Sequence, residues 1–143
     1  MSELARIEIV VLLQSVDLFS YCKADEILRI SSIATERSVA AGDRVYEANA
    51  RADNLYCVVR GGVVVTLPDG AERRIRPLEA FGVEEILSGR LREGSATATE
   101  DSLLVAMDAE DFFDLLANNV DIVKALFRKL VGRGASAHGE ARS

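Results

Sequence analysis

The sequence predicts a mainly β domain, a sandwich or barrel that is flanked by helices. Seven or eight short runs rich in β-branched and apolar residues follow one another from Glu36 to Met107, and turn sequences such as AGD, GG and PDG separate them. Apolar residues at helical spacing precede and follow these runs. Many short strands at close spacing are typical of sandwiches and barrels.

Two helices are expected before the strands. Residues 3 to 14 carry a wide apolar face, which must pack on the rest of the chain or on a second copy. Residues 23 to 34 again have helical spacing, with Asp25 and Glu26 in the first turn, where carboxylates suit the helix dipole.

The strand region and the helices after it contain turn and cap signals. In VVVTL-PDG-AERRI, Pro68 presets φ and Gly70 can adopt a positive φ, so the flanking strands are expected to be antiparallel neighbours. Asp108 is expected to cap AEDFFDLLANN, and Asn119 to cap VDIVKALFRKLVGR, which then ends at Gly132.

We divide the 143 residues into N-terminal helices (1–34), strands (35–108), two C-terminal helices (109–132) and a small polar tail (133–143) that is expected to be disordered. With 49% hydrophobic residues, the chain can bury the core of one domain. Hydrophobic patterning places the following residues in or against that core: Leu55, Cys57, Val59, Val63, Val65, Leu104 and Phe112.

Composition restricts the partners and the compartment. A net charge of −6 makes the surface as a whole repel a nucleic-acid backbone, so nucleic acid is not an expected partner. The apolar run from Ile7 to Leu13 is too short to span a bilayer, and no signal peptide is evident. Cys22 and Cys57 lack metal-ligand spacing, which favours reduced core thiols in a cytoplasmic protein.

Catalysis is not expected from this sequence. Its only histidine, His138, lies in the predicted tail, so neither a Ser-His-Asp or Cys-His arrangement nor a His-based metal site is expected within the fold. The adjacent Glu84 and Glu85 are more typical of a solvated helix start than of acid–base catalysis.

The order of the elements and several ordered motifs resemble the cyclic nucleotide-binding domain family. These motifs are VDLFS (16–20), AGDRVYE (41–47), DNLYCVVRGGVVV (53–65), FG (81–82), ATEDSLLVAM (98–107) and DAEDFFDLL (108–116). The resemblance covers roughly residues 10 to 132. It implies an eight-stranded antiparallel β-roll, a double-stranded β-helix or jelly roll, with N-terminal helices and two C-terminal helices.

Corners of such a roll need a positive φ, which glycine supplies without strain. Gly42 and Gly61 fill two corners. Asn49 stands where the family usually has a glycine after the second strand, and Leu78 with Glu79 stand where it most often has Gly-Asp.

The resemblance also implies a phosphate-binding cassette in FGVEEILSGRLREGSA, residues 81 to 96. In the family an arginine of this segment pairs with the cyclic phosphate, and a glutamate accepts from the ribose 2′-hydroxyl. Aligned without a gap, Gly82 matches the family's glycine and Arg92 its arginine, whereas Val83 stands at the glutamate position and Ser95 at a threonine position.

Carboxylates crowd this cassette. Glu84 and Glu85 replace small or apolar residues of the family pattern, and Glu93 follows the arginine. A like-charge pair about 5 Å apart costs on the order of 3 kcal/mol at an effective dielectric near 20. We therefore expect weak or altered binding of cyclic AMP or cyclic GMP at a site formed by Phe81, Gly82, Val83, Glu84, Glu85, Arg92, Glu93 and Ser95.

Alternatives remain open within the cassette. A slip of one residue would give Glu84 the role of the ribose acceptor. Arg92 could instead be solvated or form a weak surface ion pair with Glu84 or Glu85, with Arg90 as a substitute for it. Ser95 could bond to the turn instead of a ligand.

Two classes of function follow. The first is a regulatory module of signal transduction, in which a bound anion moves the C-terminal helix. The second is a ligand-free module that forms a homodimer or docks onto an effector domain through residues 3 to 14 or 119 to 131. Because only a polar tail follows Gly132, the chain is expected to be a stand-alone protein or one domain of a larger one.

Overall fold

The computed structural model describes residues 4 to 142, with side chains up to residue 132. Helix α1 (Arg6–Gln14), a 3-10 turn (Asp17–Phe19) and helix α2 (Ala24–Ser31) come first. The strands are β1 (Ala34–Val39), β2 (Arg44–Tyr46), β3 (Asn54–Arg60), β4 (Val63–Thr66), β5 (Glu72–Ile75), β6 (Ala80–Phe81), β7 (Ser95–Ala98) and β8 (Ser102–Asp108). Helix α3 (Glu84–Ser88) separates β6 from β7, and α4 (Ala109–Asn118) and α5 (Val120–Arg142) follow β8.

The strands form two four-stranded antiparallel sheets, in the orders β1-β8-β3-β6 and β2-β7-β4-β5. The predicted β-roll with flanking helices is confirmed. The predicted hairpin is β4 and β5, in which Val63 pairs with Ile75 and Thr66 with Glu72. Strand β6 has no counterpart in the prediction because two residues give no alternation pattern.

Two apolar clusters form the core, and β3 and β8 contribute to both. Leu55 and Cys57 of β3 pack with the helices, whereas Tyr56 and Val58 of the same strand face the interior of the roll. Burial on both faces explains why NLYCVVR and SLLVAM are nearly continuous apolar runs. The predicted core is confirmed: Leu55, Cys57, Val63, Leu104 and Phe112 are buried, and Val59 and Val65 pack against the clusters.

The helix caps agree with the sequence in one case and differ in another. Asp108 caps α4, since its carboxylate accepts from the backbone N–H of Asp111 at 3.0 Å. The side-chain amide of Asn119, expected to cap α5, instead donates to the carbonyl of Leu115 at 2.7 Å, at the end of α4. An asparagine amide has both a donor and an acceptor and can therefore bond at either helix end, so the N-cap preference of asparagine does not settle which helix it serves.

Two helix ends also differ from the prediction. Helix α2 ends at Ser31 because Ala34 already pairs with Met107 as the first residue of β1. Helix α5 continues past Gly132, a residue that costs roughly 1 kcal/mol relative to alanine in a helix but does not by itself stop one. The prediction of a disordered tail concerns residues 133 to 143, whose side chains are not among those that the structure describes. Among the helices the structure describes, none has the length and apolarity needed to cross a bilayer.

The corners of the roll use left-handed backbone as expected. Gly42 and Gly61 have φ values of 85° and 93°, and Asn49 replaces glycine at 67°. Leu78 also has a positive φ, 73°, which costs a residue with a Cβ roughly 1–2 kcal/mol. Its N–H donates to the carbonyl of Val58 at 2.8 Å, and the Glu79 carboxylate accepts from the N–H of Arg76 at 2.7 Å, so hydrogen bonds hold this corner.

Substitution of two adjacent phenylalanines of α4 tests whether apolar packing holds the helices on the roll. Phe112 is fully buried, whereas Phe113 is 45% exposed. We expect Phe112→Ala to lower the free energy of unfolding by about 3–5 kcal/mol, since it leaves a cavity in the helix cluster. Phe113→Ala, the matched control, should cost about 1 kcal/mol or less. Urea denaturation measures both, and equal losses would contradict this assignment of the core.

Candidate cyclic nucleotide site

A cavity of about 260 Å³ lies between the β2-β7-β4-β5 sheet and the segment that follows β6. Its volume is close to the lower limit for small-molecule sites, about 300 Å³. The lining consists of two aromatic residues (Tyr46, Phe81), two aliphatic residues (Val65, Leu67), two glycines (Gly82, Gly94), three carboxylates (Glu84, Glu85, Glu93) and two arginines (Arg73, Arg90).

Two left-handed glycines shape the segment at one side of this cavity. Gly82, with φ 78°, turns the chain from β6 into α3, and Gly89, with φ 71°, ends α3. A Cβ atom at position 82 would lie 2.9 Å from Nη1 of Arg92. Position 82 therefore requires glycine both for its backbone conformation and for space.

Both terminal nitrogens of Arg92 donate hydrogen bonds to the protein itself. Its side chain is 1% exposed, and Nη1 donates to the carbonyl of Gly82 at 2.8 Å and to Oε1 of Glu85 at 2.9 Å. Nη2 donates to the carbonyl of Asn54 on β3. The guanidinium carbon lies 4.1 Å from the centre of the Tyr46 ring, in cation–π geometry.

The ion pair joins a buried Arg92 to a largely buried Glu85, which corrects the expectation of a weak surface pair. Glu85 keeps only 14% of its side-chain exposure. Desolvating two charges is costly, so such a pair is sustained by the further hydrogen bonds of the guanidinium. One donor, Nε of Arg92, has no hydrogen-bond partner within the described chain, and leaving it unpaired costs about 1–3 kcal/mol.

Burial and the surrounding charges shift the pKa of Tyr46. Burial raises the pKa of its hydroxyl to about 12, the nearby carboxylates of Glu85 and Glu84 add to this, and the positive charges of Arg92 and Arg73 oppose it. The ring therefore stays neutral, as an aromatic surface beneath the cavity and against Arg92.

The cassette turns Val83 away from the cavity. The Val83 side chain is 6% exposed and belongs to the apolar cluster of the helices, while Glu84 and Glu85 line the cavity. Val83 stands where the family has its ribose-binding glutamate, so the cavity lacks a carboxylate from that position. Glu84, one residue later, is among the cavity-lining residues, and the slipped alignment stays a prediction.

Of the other predicted site residues, Phe81 and Glu93 line the cavity and Ser95 does not. Phe81 lines the cavity and stacks on Tyr56 with ring centres 5.2 Å apart. Glu93 also lines it and is exposed. Ser95 is half-buried in β7, paired with Thr66, and is not among the cavity-lining residues.

Sequence reasoning did not assign five of the cavity-lining residues to the site: Tyr46, Val65, Leu67, Arg73 and Gly94. Strand alternation could have found Arg73, because it stands two residues before the buried Ile75 of β5 and therefore lies on the same face. Tyr46 lies in the AGDRVYE motif, but its contact with Arg92 joins residues that are distant in sequence.

Residues 36–119 match the family model for the cyclic nucleotide-binding domain. The chain belongs to this family. It is 24% identical over 122 residues to the cGMP-dependent 3′,5′-cGMP phosphodiesterase A of Dictyostelium discoideum, an alignment that covers 85% of this chain and 14% of that protein. It is 29% identical over 128 residues to a cyclic nucleotide-gated potassium channel of Mesorhizobium japonicum, covering 88% and 35% of the two chains.

Similarity extends to solved structures. The fold superposes on the N-terminal domain of a transcriptional regulator from Streptomyces coelicolor with a TM-score of 0.77 and 24% identity, over 91% of this chain and 94% of that one. This likeness shows the fold of the family. The chain spans about a third or less of the curated relatives it matches, at 14%, 35% and 29% of their lengths.

The hydrogen bonds of Arg92 predict a large effect of its loss on stability. We expect Arg92→Gln to lower the free energy of unfolding by about 3–5 kcal/mol, because it leaves Glu85 buried without its charge partner. Arg90→Gln, which removes an exposed arginine of the same segment, should change it by about 0.5 kcal/mol or less. Urea denaturation of the ligand-free variants distinguishes them. Similar small losses would show that Arg92 does not hold the cassette.

Proposed function

We propose that this chain is a non-catalytic regulatory domain that senses a cyclic nucleotide or a related small anion in the cavity, with weak or altered affinity. One observation carries the proposal. Arg92, at the position where the family has its phosphate-pairing arginine, is engaged by Glu85 at 2.9 Å. An incoming phosphate must either displace this carboxylate or bind without Arg92, and both routes yield less free energy than an unoccupied arginine.

The charges of the cavity support weak binding of an anion. Three carboxylates, Glu84, Glu85 and Glu93, line it together with two arginines, Arg73 and Arg90. We expect cyclic AMP to bind in the high micromolar range or beyond, which corresponds to roughly 5 kcal/mol or less of binding free energy.

The remaining lining suits the rest of a nucleotide. The aromatic rings of Tyr46 and Phe81 and the aliphatic side chains of Val65 and Leu67 offer apolar contact to a base. The carboxylate of Glu84 is an acceptor for a ribose hydroxyl. These groups favour a nucleotide over a simple anion as the ligand of the cavity.

The cassette and the C-terminal helix contribute to one buried apolar cluster, which could carry a signal from the cavity. Val83 and Ile86, at the cassette, pack in the same buried cluster as Ile122 and Leu126 of α5. Because a packed core does not deform freely, a ligand that repositions α3 must also change the packing of α5.

The chemistry of the described residues favours sensing over catalysis. Burial raises the pKa of the Cys57 thiol to about 12, and burial together with the nearby Glu26 raises that of Cys22 to about 11. Both thiols stay protonated near neutral pH and are poor nucleophiles. Both are also unpaired, in keeping with the reduced thiols the sequence predicts.

The test of the proposal is to release Arg92 from Glu85. Glu85→Ala restores the small residue typical of the family and leaves the guanidinium open to a phosphate. We expect it to tighten cyclic AMP binding by at least about tenfold, which corresponds to about 1.4 kcal/mol. Glu93→Ala is the matched control, since it removes one negative charge from the same cavity without releasing Arg92. Calorimetry with cyclic AMP and cyclic GMP measures both variants.

Two results would count against the proposal. Equal gains in cyclic AMP affinity from Glu85→Ala and Glu93→Ala would show that Glu85 weakens binding only through its negative charge, and not by pairing with Arg92. Submicromolar affinity of the unmodified protein would show that the buried ion pair does not weaken the site.

A second function, self-association, is favoured by one face of α5. Val120, Val123 and Phe127 are exposed by 63%, 39% and 66%, whereas Ile122 and Leu126 on the other side of the helix are buried. Their spacing of three and four residues matches the seam of two paired helices, so a second copy of α5 is the partner it fits.

Sedimentation at high protein concentration tests this association. We expect the unmodified protein to dimerise and Phe127→Glu to be monomeric, because the charge would be buried in the seam. Leu28→Glu, at a 52% exposed residue of α2, should leave the dimer intact. If Ile7→Glu on α1 dissociates the dimer instead, the interface is on residues 3 to 14. A strict monomer would exclude both surfaces.

A further inference from the structure

Because Arg92 is already paired with Glu85, another group of this protein must interact with the negative charge of an anionic ligand. Among the described residues that line the cavity, the cations are Arg73 of β5 and Arg90 of the segment after α3. They reach the cavity from different elements, the sheet on one side and the cassette on the other.

Arg73 is an exposed arginine on the cavity side of β5. It pairs with Val65 across the β4–β5 ladder, and two residues further along Ile75 pairs with Val63. Ile75 and Val63 are 3% and 1% exposed and belong to the cluster inside the roll. Since side chains two residues apart share a face of a strand, Arg73 lies on the same face of β5 as Ile75, but it is exposed, at the end where the roll opens into the cavity.

The guanidinium of Arg73 is available to a ligand. Within the described residues no ion pair or hydrogen bond holds its guanidinium, in contrast to the three acceptors around Arg92. Its charge nevertheless acts on the cavity, since it opposes the rise in the pKa of Tyr46. Arg90 is only partly engaged, through a bond of Nε to the hydroxyl of Ser88 at 2.9 Å.

We propose that Arg73, together with Arg90, binds the negatively charged group of the ligand, a phosphate, while Arg92 remains bound to Glu85. In this arrangement the phosphate lies toward β4 and β5, and the carboxylates of Glu84 and Glu93 face the hydroxyl or amine donors of the same ligand. The inference rests on the proposed function in that it uses the same cavity, but it assigns the charge recognition to a strand outside the cassette.

The next residue of the same strand supplies the control. Arg74 carries the same charge, pairs with Val64 and lies on the opposite face of β5, away from the cavity lining. Arg73→Gln and Arg74→Gln therefore change the net charge equally, and only the first removes a cation from the cavity. Arg90→Gln tests the second arginine of the proposed pair.

The experiment titrates the full chain with inorganic phosphate and, separately, with cyclic AMP, and follows the backbone amide signals of residues 81 to 94 by NMR. We expect phosphate to shift these signals in the unmodified protein. Arg73→Gln should weaken its binding about tenfold, as expected for the loss of a charge-assisted contact. Arg90→Gln should weaken it as well, and Arg74→Gln should change it by less than about twofold.

The outcomes separate this inference from the proposed function. Equal effects of Arg73→Gln and Arg74→Gln, or no shift with phosphate, would overturn the inference. Cyclic AMP binding that is unaffected by Arg73→Gln would also overturn it and would leave the proposed function standing. If phosphate binds through Arg73 but neither cyclic AMP nor cyclic GMP binds, the inference holds and cyclic nucleotide sensing, as part of the proposed function, fails.

Discussion

The guanidinium of Arg92 connects three parts of the domain that are distant in sequence. It binds the carbonyl of Asn54 on β3, the carbonyl of Gly82 before α3 and the carboxylate of Glu85 within α3. Hydrogen bonds from its terminal nitrogens offset part of the cost of burying this charge, so these acceptors help to hold the cassette on the roll. The same contacts that hold the cassette also withdraw its arginine from the cavity.

The conformation of Gly82 divides the cassette into two faces. After this left-handed residue, Val83 and Ile86 pack into the helix cluster, while Glu84 and Glu85 line the cavity. The apolar face ties α3 to the helices, and the acidic face sets the charge that a ligand meets. A family cassette with a glutamate at position 83 would need a different side-chain direction there, because a carboxylate among apolar residues is strongly disfavoured.

Local chemistry made most of the fold predictable. The PDG hairpin, the Asp108 cap and the positive φ of Asn49 each depend on a few neighbouring residues. The contacts of Arg92 do not depend on neighbouring residues alone. Its acceptor on Asn54 is 38 residues away, and its partner Glu85 is shielded from solvent only in the folded roll. Strand alternation places Arg73 on the same face as Ile75, but its position beside a cavity can be recognised only from the folded structure.

The most direct test of this account is the NMR signal of the Arg92 guanidinium in the ligand-free protein. If Arg92 is bound by Gly82, Asn54 and Glu85, its Nη protons should appear as separate signals that exchange slowly with water, because the hydrogen bonds prevent rotation and exclude solvent. Exposed arginines such as Arg74 should show averaged, rapidly exchanging signals. An averaged, rapidly exchanging signal from Arg92 would contradict the central claim that this arginine is held inside the domain.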